Sequence, residues 1–374
     1  FLTFTYIFVF ASKVNMTFNT SQDLSTISNN DCNVFVDSNA VKIIKTLAYS
    51  ALLIVSLMGN SVVVAAIFRR RELQTIINFF ILNMCISDLL IPIFVFPDRI
   101  KQIYFQREVW LIDGVFGSFT CKSTLFLENT SVIVSVLGLL VISVERFYCV
   151  VYPMKCQPIH TKRACFALIG ASWFIAIGFC SHFLYTRRIE LENNATKCVY
   201  SWKPVADTRK TGNLLHLTFL ICFTIIPFVV LTIIYISIAV KINLKRTQLV
   251  SLASRNQRNY RVRQSRQISL MVAAVVAVFL LSWTPANVYI FLRTFAEWKV
   301  NHPCRYRHLI FTSNYLSYSY IAFNPLIYYS FSTKFRRGIR EIICCNCCVK
   351  TKPSNSTAWT VSAAMVSNRL SRSR

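Results

Sequence analysis

Glycine and proline are scarce in this 374-residue chain, at 8 and 10 residues. That excludes a linker-rich or low-complexity protein. Acidic residues are also few, 15 against 41 Lys and Arg, for a net charge of +26. On a water-soluble chain such an excess would suggest nucleic-acid binding. Here the basic residues form no stripe with interleaved aromatics. They fall between apolar stretches and at the C-terminus, so nucleic acid is not an expected partner. His160, His182, His216, His302 and His308 are scattered, and neither HExxH nor GxSxG occurs. The usual constellations of a metal-dependent or serine enzyme are therefore missing. No internal repeat of the kind common in transporters is visible.

Hydrophobic residues, by contrast, make up 54% of the chain. Seven apolar segments reach the roughly 20 residues needed to cross a bilayer. They are Ile43–Phe68, Ile76–Phe96, Thr124–Val150, Ala164–Leu184, Leu214–Val240, Ile268–Leu292 and Leu309–Tyr329. Glu128 and Glu145 interrupt the third. Short loops between segments predict one all-α membrane protein, a seven-transmembrane helical bundle with a short amphipathic eighth helix. The predicted boundaries are 1–42 for an outer N-terminal segment, 43–331 for the bundle, 332–348 for a membrane-surface helix with a cysteine cluster, and 349–374 for a polar tail. The tail carries Ser354, Ser356 and Thr357 and is expected to be disordered. The opening stretch from Phe1 to Ala11 is apolar with no basic residue before it. It reads as the end of a truncated signal peptide or, preferably, as translation upstream of a start at Met16, and it is left out of fold reasoning.

Orientation follows from the Lys and Arg flanking the segments. With the N-terminus outside, the inner loops hold Arg69–Arg71, then Lys155, Lys162 and Arg163, then a third loop without one acidic residue from Lys241 to Arg266. The sequons at Asn19 and Asn194 then face outward as glycosylation sites, while Asn129 lies inside a membrane segment. The expected location is the plasma membrane. Cys32, Cys121, Cys198 and Cys304 fall on the outer side, and four cysteines allow three pairings. A Cys121–Cys198 bridge would pin the second outer loop across the bundle mouth. Cys32 and Cys304 would then tie the N-terminal segment to the third outer loop. Inside, Cys344, Cys345, Cys347 and Cys348 follow an amphipathic stretch from Lys334 to Ile343. That placement suits palmitoylation and contact with membrane lipids. A zinc cluster is the alternative, but no second ligand group stands at a distance.

Charges inside a membrane are costly and point to function. Asp88, Glu128, Glu145 and Arg146 are such charges. Arg146 can be held by Glu145 in a resting state, and once free its guanidinium can bind a partner's backbone carbonyls. Glu145-Arg146-Phe147 resembles the acidic-Arg-aromatic motif of rhodopsin-like (class A) G protein-coupled receptors, and Arg146 lies 25 residues after Cys121, as in that family. Further motifs agree in order: Gly59-Asn60, Ser87-Asp88-Leu89-Leu90, Trp173, Pro227 with Tyr235, Phe279 with Ser282-Trp283-Thr284-Pro285, and Asn324-Pro325-Leu326-Ile327-Tyr328. The resemblance covers roughly residues 43–348. Pro227, Pro285 and Pro325 each remove a backbone donor and bend their helices, and neighbouring groups must satisfy the freed carbonyls.

The resemblance implies roles. Glu145, Arg146, Tyr235, Phe279, Trp283, Pro285, Asn324, Pro325 and Tyr328 would form the activation switch and the G protein contact. Asp88, with Asn60, Ser135 and Asn324, would form a polar network. Asp88 resembles the family's sodium-binding carboxylate, but Tyr320 and Ile321 stand where small polar ligands are common, which tells against the ion. No other cofactor is expected. Glu128, Asn287, Asn314, Tyr318 and Trp283 are the expected ligand contacts. Glu128 would meet an Arg, Lys or N-terminal amine of a peptide; the plainer alternative is an internal ion pair with Lys122 or Arg99. Ala286 and Asn287 replace the aromatics usual in amine receptors, and the second outer loop, Arg187 to Lys210, is long enough for a hairpin. With Trp110 and Phe116-Gly117, the chain looks most like invertebrate neuropeptide receptors of the RFamide, galanin and tachykinin type. Its implied partners are an extracellular peptide, a heterotrimeric G protein, arrestin and a receptor kinase. The alternatives are an amine receptor or, more distantly, a transporter or channel with Asp88, Glu128 and Glu145 along an ion path.

Overall fold

In the computed structural model, residues 37–105, 109–152, 161–192, 195–249, 256–295 and 307–343 are described. The chain divides into two units, Phe1–Ile339 and Arg340–Arg374, and the bundle lies in the first. Its long helices are α1 (Asn39–Arg69), α2 (Ile76–Tyr104), α3 (Gly114–Val151), α4 (Lys162–Thr186), α5 (Thr208–Lys241, helical on to Leu249), α6 (Asn256–Phe295) and α7 (Arg307–Phe331). A hairpin, β1 (Arg187–Glu192) and β2 (Ala195–Tyr200), joins α4 to α5, and a short α8 (Thr333–Ile343) follows α7.

Helix starts carry the short polar caps expected there. Ser38, Thr75 and Thr161 accept from the backbone N–H three residues on, at the heads of α1, α2 and α4. Asp207 does the same for α5, accepting from Lys210 N–H at 2.8 Å. That bond holds its carboxyl below the usual carboxylate range.

By length and hydropathy, α1 to α6 are each able to cross a membrane. Helix α7 has the length, 25 residues, but not the apolarity. Its polar groups explain this: Ser313, Ser317, Ser319, Asn324, Tyr318, Tyr320 and Tyr328 are all buried. They point into the bundle, where partners can satisfy them. Meanwhile large apolar side chains such as Leu47, Met58, Phe174, Ile233 and Leu281 are exposed, as suits a surface solvated by hydrocarbon.

Helix α3 runs through the middle, packed against α2, α4, α5 and α6. It starts ten residues before its apolar run, at Gly114, which turns the chain at φ 70°. Helix α6 likewise extends far ahead of its apolar core, through the basic stretch from Asn256. In α2 a π turn at Ile91–Val95 contains Pro92. Such a turn redirects the residues beyond it, and Phe96, Asp98, Arg99 and Lys101 of the last turns are all buried.

Two close approaches set the inner half. A Cβ on Gly59 would stand 2.9 Å from Cγ of Pro325, so only glycine lets α1 touch the α7 bend. Pro325 has no N–H for the carbonyl of Ile321, four residues back. Asn60 supplies the missing donor, its Nδ2 lying 3.1 Å from that carbonyl.

Candidate functional site

At the hairpin end, the two strands pair antiparallel from Arg187 opposite Tyr200 to Glu192 opposite Ala195. Cys198 on β2 is bonded to Cys121 of α3. Trp110 is buried against this disulfide beside Ile112 and Ile189. Its backbone N–H donates to the Thr196 carbonyl at 2.7 Å. Lys101, fully buried, ties the same region to α2: it pairs with Asp98 at 2.8 Å, donates to the Val109 carbonyl at 2.7 Å and lies 4.8 Å from the Trp110 ring centroid. Lys101 and Asp98 were not legible as a site; their spacing of three along one helix was the available signal.

Below this lid sits Glu128. Both of its carboxylate oxygens accept from Nη2 of Arg99, each at 2.8 Å. The Tyr318 hydroxyl donates to Glu128 and accepts from Arg99 Nε at 2.9 Å. Of the two internal pairings considered for Glu128, the one with Arg99 is formed. The carboxylate expected to meet a ligand cation is thus already occupied. Asn314 lies one turn from Tyr318 on α7 and is half-buried. The other expected ligand contacts, Trp283 and Asn287, line a separate small pocket between α3, α5 and α6, with Leu139, Phe223, Pro227 and Phe279. Asn287 Nδ2 and Trp283 Nε1 are buried with no hydrogen-bond partner in this structure.

At mid-depth, Asp88 is fully buried. Its Oδ1 accepts from Ser135 Oγ and its Oδ2 from Asn324 Nδ2, both at 3.0 Å. Asn60 does not join them, because it serves the Ile321 carbonyl instead. The buried Tyr320 hydroxyl lies near Asp88, Ser135 and Ser131 but makes no hydrogen bond to them. Its ring packs on Phe279 and Trp283, with centroids 5.1 and 6.4 Å apart, and those two rings lie 6.1 Å from each other. Tyr320 therefore spans from the pocket floor to the buried carboxylate. Ser131, one turn from Ser135, belongs to this cluster through its 2.8 Å bond to the Ser87 carbonyl.

At the other end of α3, Arg146 is clamped by its neighbour. Its Nε and Nη2 donate to the two Glu145 oxygens at 2.7 and 2.5 Å. Tyr235 bonds Ser143 at 3.1 Å, one turn from Arg146. Tyr328 is buried and packs its ring 5.8 Å from Phe335 of α8. Trp173 donates to Asn83 at 2.7 Å, tying α4 to α2. Cys32, Cys304, Asn19, Asn194, Cys344, Cys345, Cys347 and Cys348 lie outside the described residues.

A clamped Arg146 at one end, a disulfide-pinned hairpin at the other and an α7 interrupted by Pro325 between them coincide with a sequence match. The family described as "7 transmembrane receptor (rhodopsin family)" matches residues 59–328. The chain belongs to the rhodopsin family of seven-transmembrane receptors. Among the receptor's relatives is the substance-K receptor of Mus musculus, 27% identical over 298 residues, covering 80% of this chain and 74% of the relative. The pyroglutamylated RF-amide peptide receptor of Rattus norvegicus is 25% identical over 333 residues, covering 84% and 74%. Galanin receptor 2a of Danio rerio is 25% identical over 305 residues, covering 81% and 78%.

Proposed function

We propose that this receptor binds an extracellular neuropeptide and activates heterotrimeric G proteins at the opposite membrane face, with its N-terminus outside the plasma membrane. The observation that carries this is the separation of two specialised ends on one helix. Cys121, under the hairpin, and Arg146 are 25 residues apart on α3, about 37 Å along the axis at 1.5 Å per residue. A ligand at the hairpin end reaches the Arg146 end only by shifting the population of bundle conformations. The Trp283, Phe279 and Tyr320 rings pass the change toward Asp88, and α6 moves outward. Release of Arg146 from Glu145 then frees its guanidinium for the G protein. The receptor promotes nucleotide exchange on its partner and carries no covalent chemistry of its own. Arrestin and a receptor kinase act on the tail, and palmitoylation anchors the cysteines after α8.

Peptide ligands are favoured by the relatives, which are receptors named for substance K, an RF-amide peptide and galanin. The amine reading loses ground because the carboxylate it needs is bonded to Arg99. We further infer that Asp88 works without sodium. The space beside it receives the Tyr320 hydroxyl, and a fully buried phenol there replaces the ion and its water.

The test is a panel of peptides, including substance K, galanin and RF-amide peptides, applied to cells expressing the receptor with calcium and cAMP readouts. A peptide response absent from untransfected cells is expected. Responses to amines and none to peptides would overturn the ligand assignment.

A further inference from the structure

We propose that Arg99 is a built-in counter-ion occupying the cation site of Glu128, so that the ligand is recognised without a basic group at that carboxylate. The proposal deepens the receptor reading above and rests on it. The geometry is that of a filled site. Arg99 Nη2 donates to both Glu128 oxygens at 2.8 Å, Nε donates to Tyr318 at 2.9 Å, and Nη1 reaches Gln102 Oε1 at 3.4 Å. The Tyr318 hydroxyl closes the ring by donating back to Glu128. The guanidinium also lies 5.6 Å from the Tyr318 ring centroid, within reach of a cation–π contact. The two charged side chains are 8% and 12% exposed.

One guanidinium nitrogen spans both carboxylate oxygens while Nε and Nη1 reach Tyr318 and Gln102, a spread of partners that a compact ammonium does not reproduce. A ligand amine at Glu128 would have to expel this group, leaving a buried cation unpaired. The other nearby carboxylate, Asp98, is already paired with Lys101 at 2.8 Å. A ligand cation is therefore selected against at this carboxylate, and a basic peptide must place its charge elsewhere in the mouth. The same three side chains brace α2, α3 and α7 around the mouth, so Arg99 is a positioning residue as well.

The test needs no identified ligand. Purified full-length receptor in lipid nanodiscs is melted with and without millimolar ethylguanidinium chloride, against sodium chloride at equal ionic strength. Arg99→Ala is expected to melt at least about 5 °C below the parent chain, since one partner of a buried pair is left alone. Ethylguanidinium should restore about half of that loss by refilling the site, and leave the parent chain unchanged. The rescue should vanish in Arg99→Ala/Glu128→Gln. A folded Arg99→Ala that gains nothing, or a rescue that survives loss of Glu128, overturns the proposal. Where Arg99→Ala does not express, Arg99→Gln, Glu128→Gln and the double variant are compared. The neutral pair should exceed both singles in surface yield, and equal or lower yield overturns the proposal. Failure here leaves the peptide-receptor reading standing, because that reading is tested by the peptide panel.

Discussion

Asn60→Ala tests the reasoning about the α7 bend most sharply. Asn60 Nδ2 bonds two carbonyls, Ser56 at 2.9 Å and Ile321 at 3.1 Å. The Ser56 carbonyl sits in a regular helix, so its loss matters little. The Ile321 carbonyl is different, because Pro325 cannot donate to it. A buried carbonyl left unmade costs about 1–3 kcal/mol in proteins generally. Inter-helix bonds in membranes average lower, about 0.6 kcal/mol and at most about 1.7. The expected loss is therefore about 1–2 kcal/mol, a fall in melting temperature of roughly 3–6 °C. The assay is thermal unfolding in nanodiscs, run as a double-mutant cycle with Pro325→Ala. Alanine at 325 restores an N–H for Ile321, so Asn60→Ala should cost about 1 kcal/mol less in that background. An equal cost in both backgrounds would refute the assignment.

Gly59→Ala should lower stability by about 1–3 kcal/mol through overpacking, because its Cβ would stand 2.9 Å from the Pro325 ring. Pro325→Ala should relieve part of that loss in the same melting assay. Cys198→Ser opens a 77-residue loop, and chain entropy predicts a loss of about 4.5 kcal/mol. Cell-surface yield and peptide potency should both fall, whereas unchanged potency would remove the hairpin from the ligand path. The parent receptor should melt identically in sodium chloride and choline chloride, while Tyr320→Ser should acquire extra stability in sodium. A sodium-specific shift in the parent chain would contradict the reading of Tyr320.

Much of this bundle was legible in the sequence because a membrane imposes length and apolarity on each helix. The apolar runs of α1 and α4 match their helices to within a few residues. Helices α3 and α6 overshoot theirs, since Gly114–Ser123 and Asn256–Gln267 are helical without being apolar enough to register. The polar residues of α7 lowered its hydropathy for the same reason that they matter, because they face inward. Proline and asparagine motifs marked the Asn60, Asp88 and Asn324 region, but not which carbonyl Asn60 would serve. That depends on α1 and α7 meeting at Gly59. The state of Glu128 was the least legible. Arg99 lies 29 residues away on another helix, and only the π turn in α2 aims it inward. Residues beyond one turn carry no sequence signal of their contact, so the pair could be weighed but not decided.

A ligand at the hairpin end is proposed to free Arg146 to act on a G protein. The most direct measurement is guanine-nucleotide exchange on a heterotrimeric G protein by purified receptor in nanodiscs, with an activating peptide from the panel, for the parent chain and for Arg146→Ala. Peptide is expected to accelerate exchange on the parent chain, and Arg146→Ala to bind the same peptide without accelerating exchange. Exchange that is equally fast with Arg146→Ala would contradict the proposal.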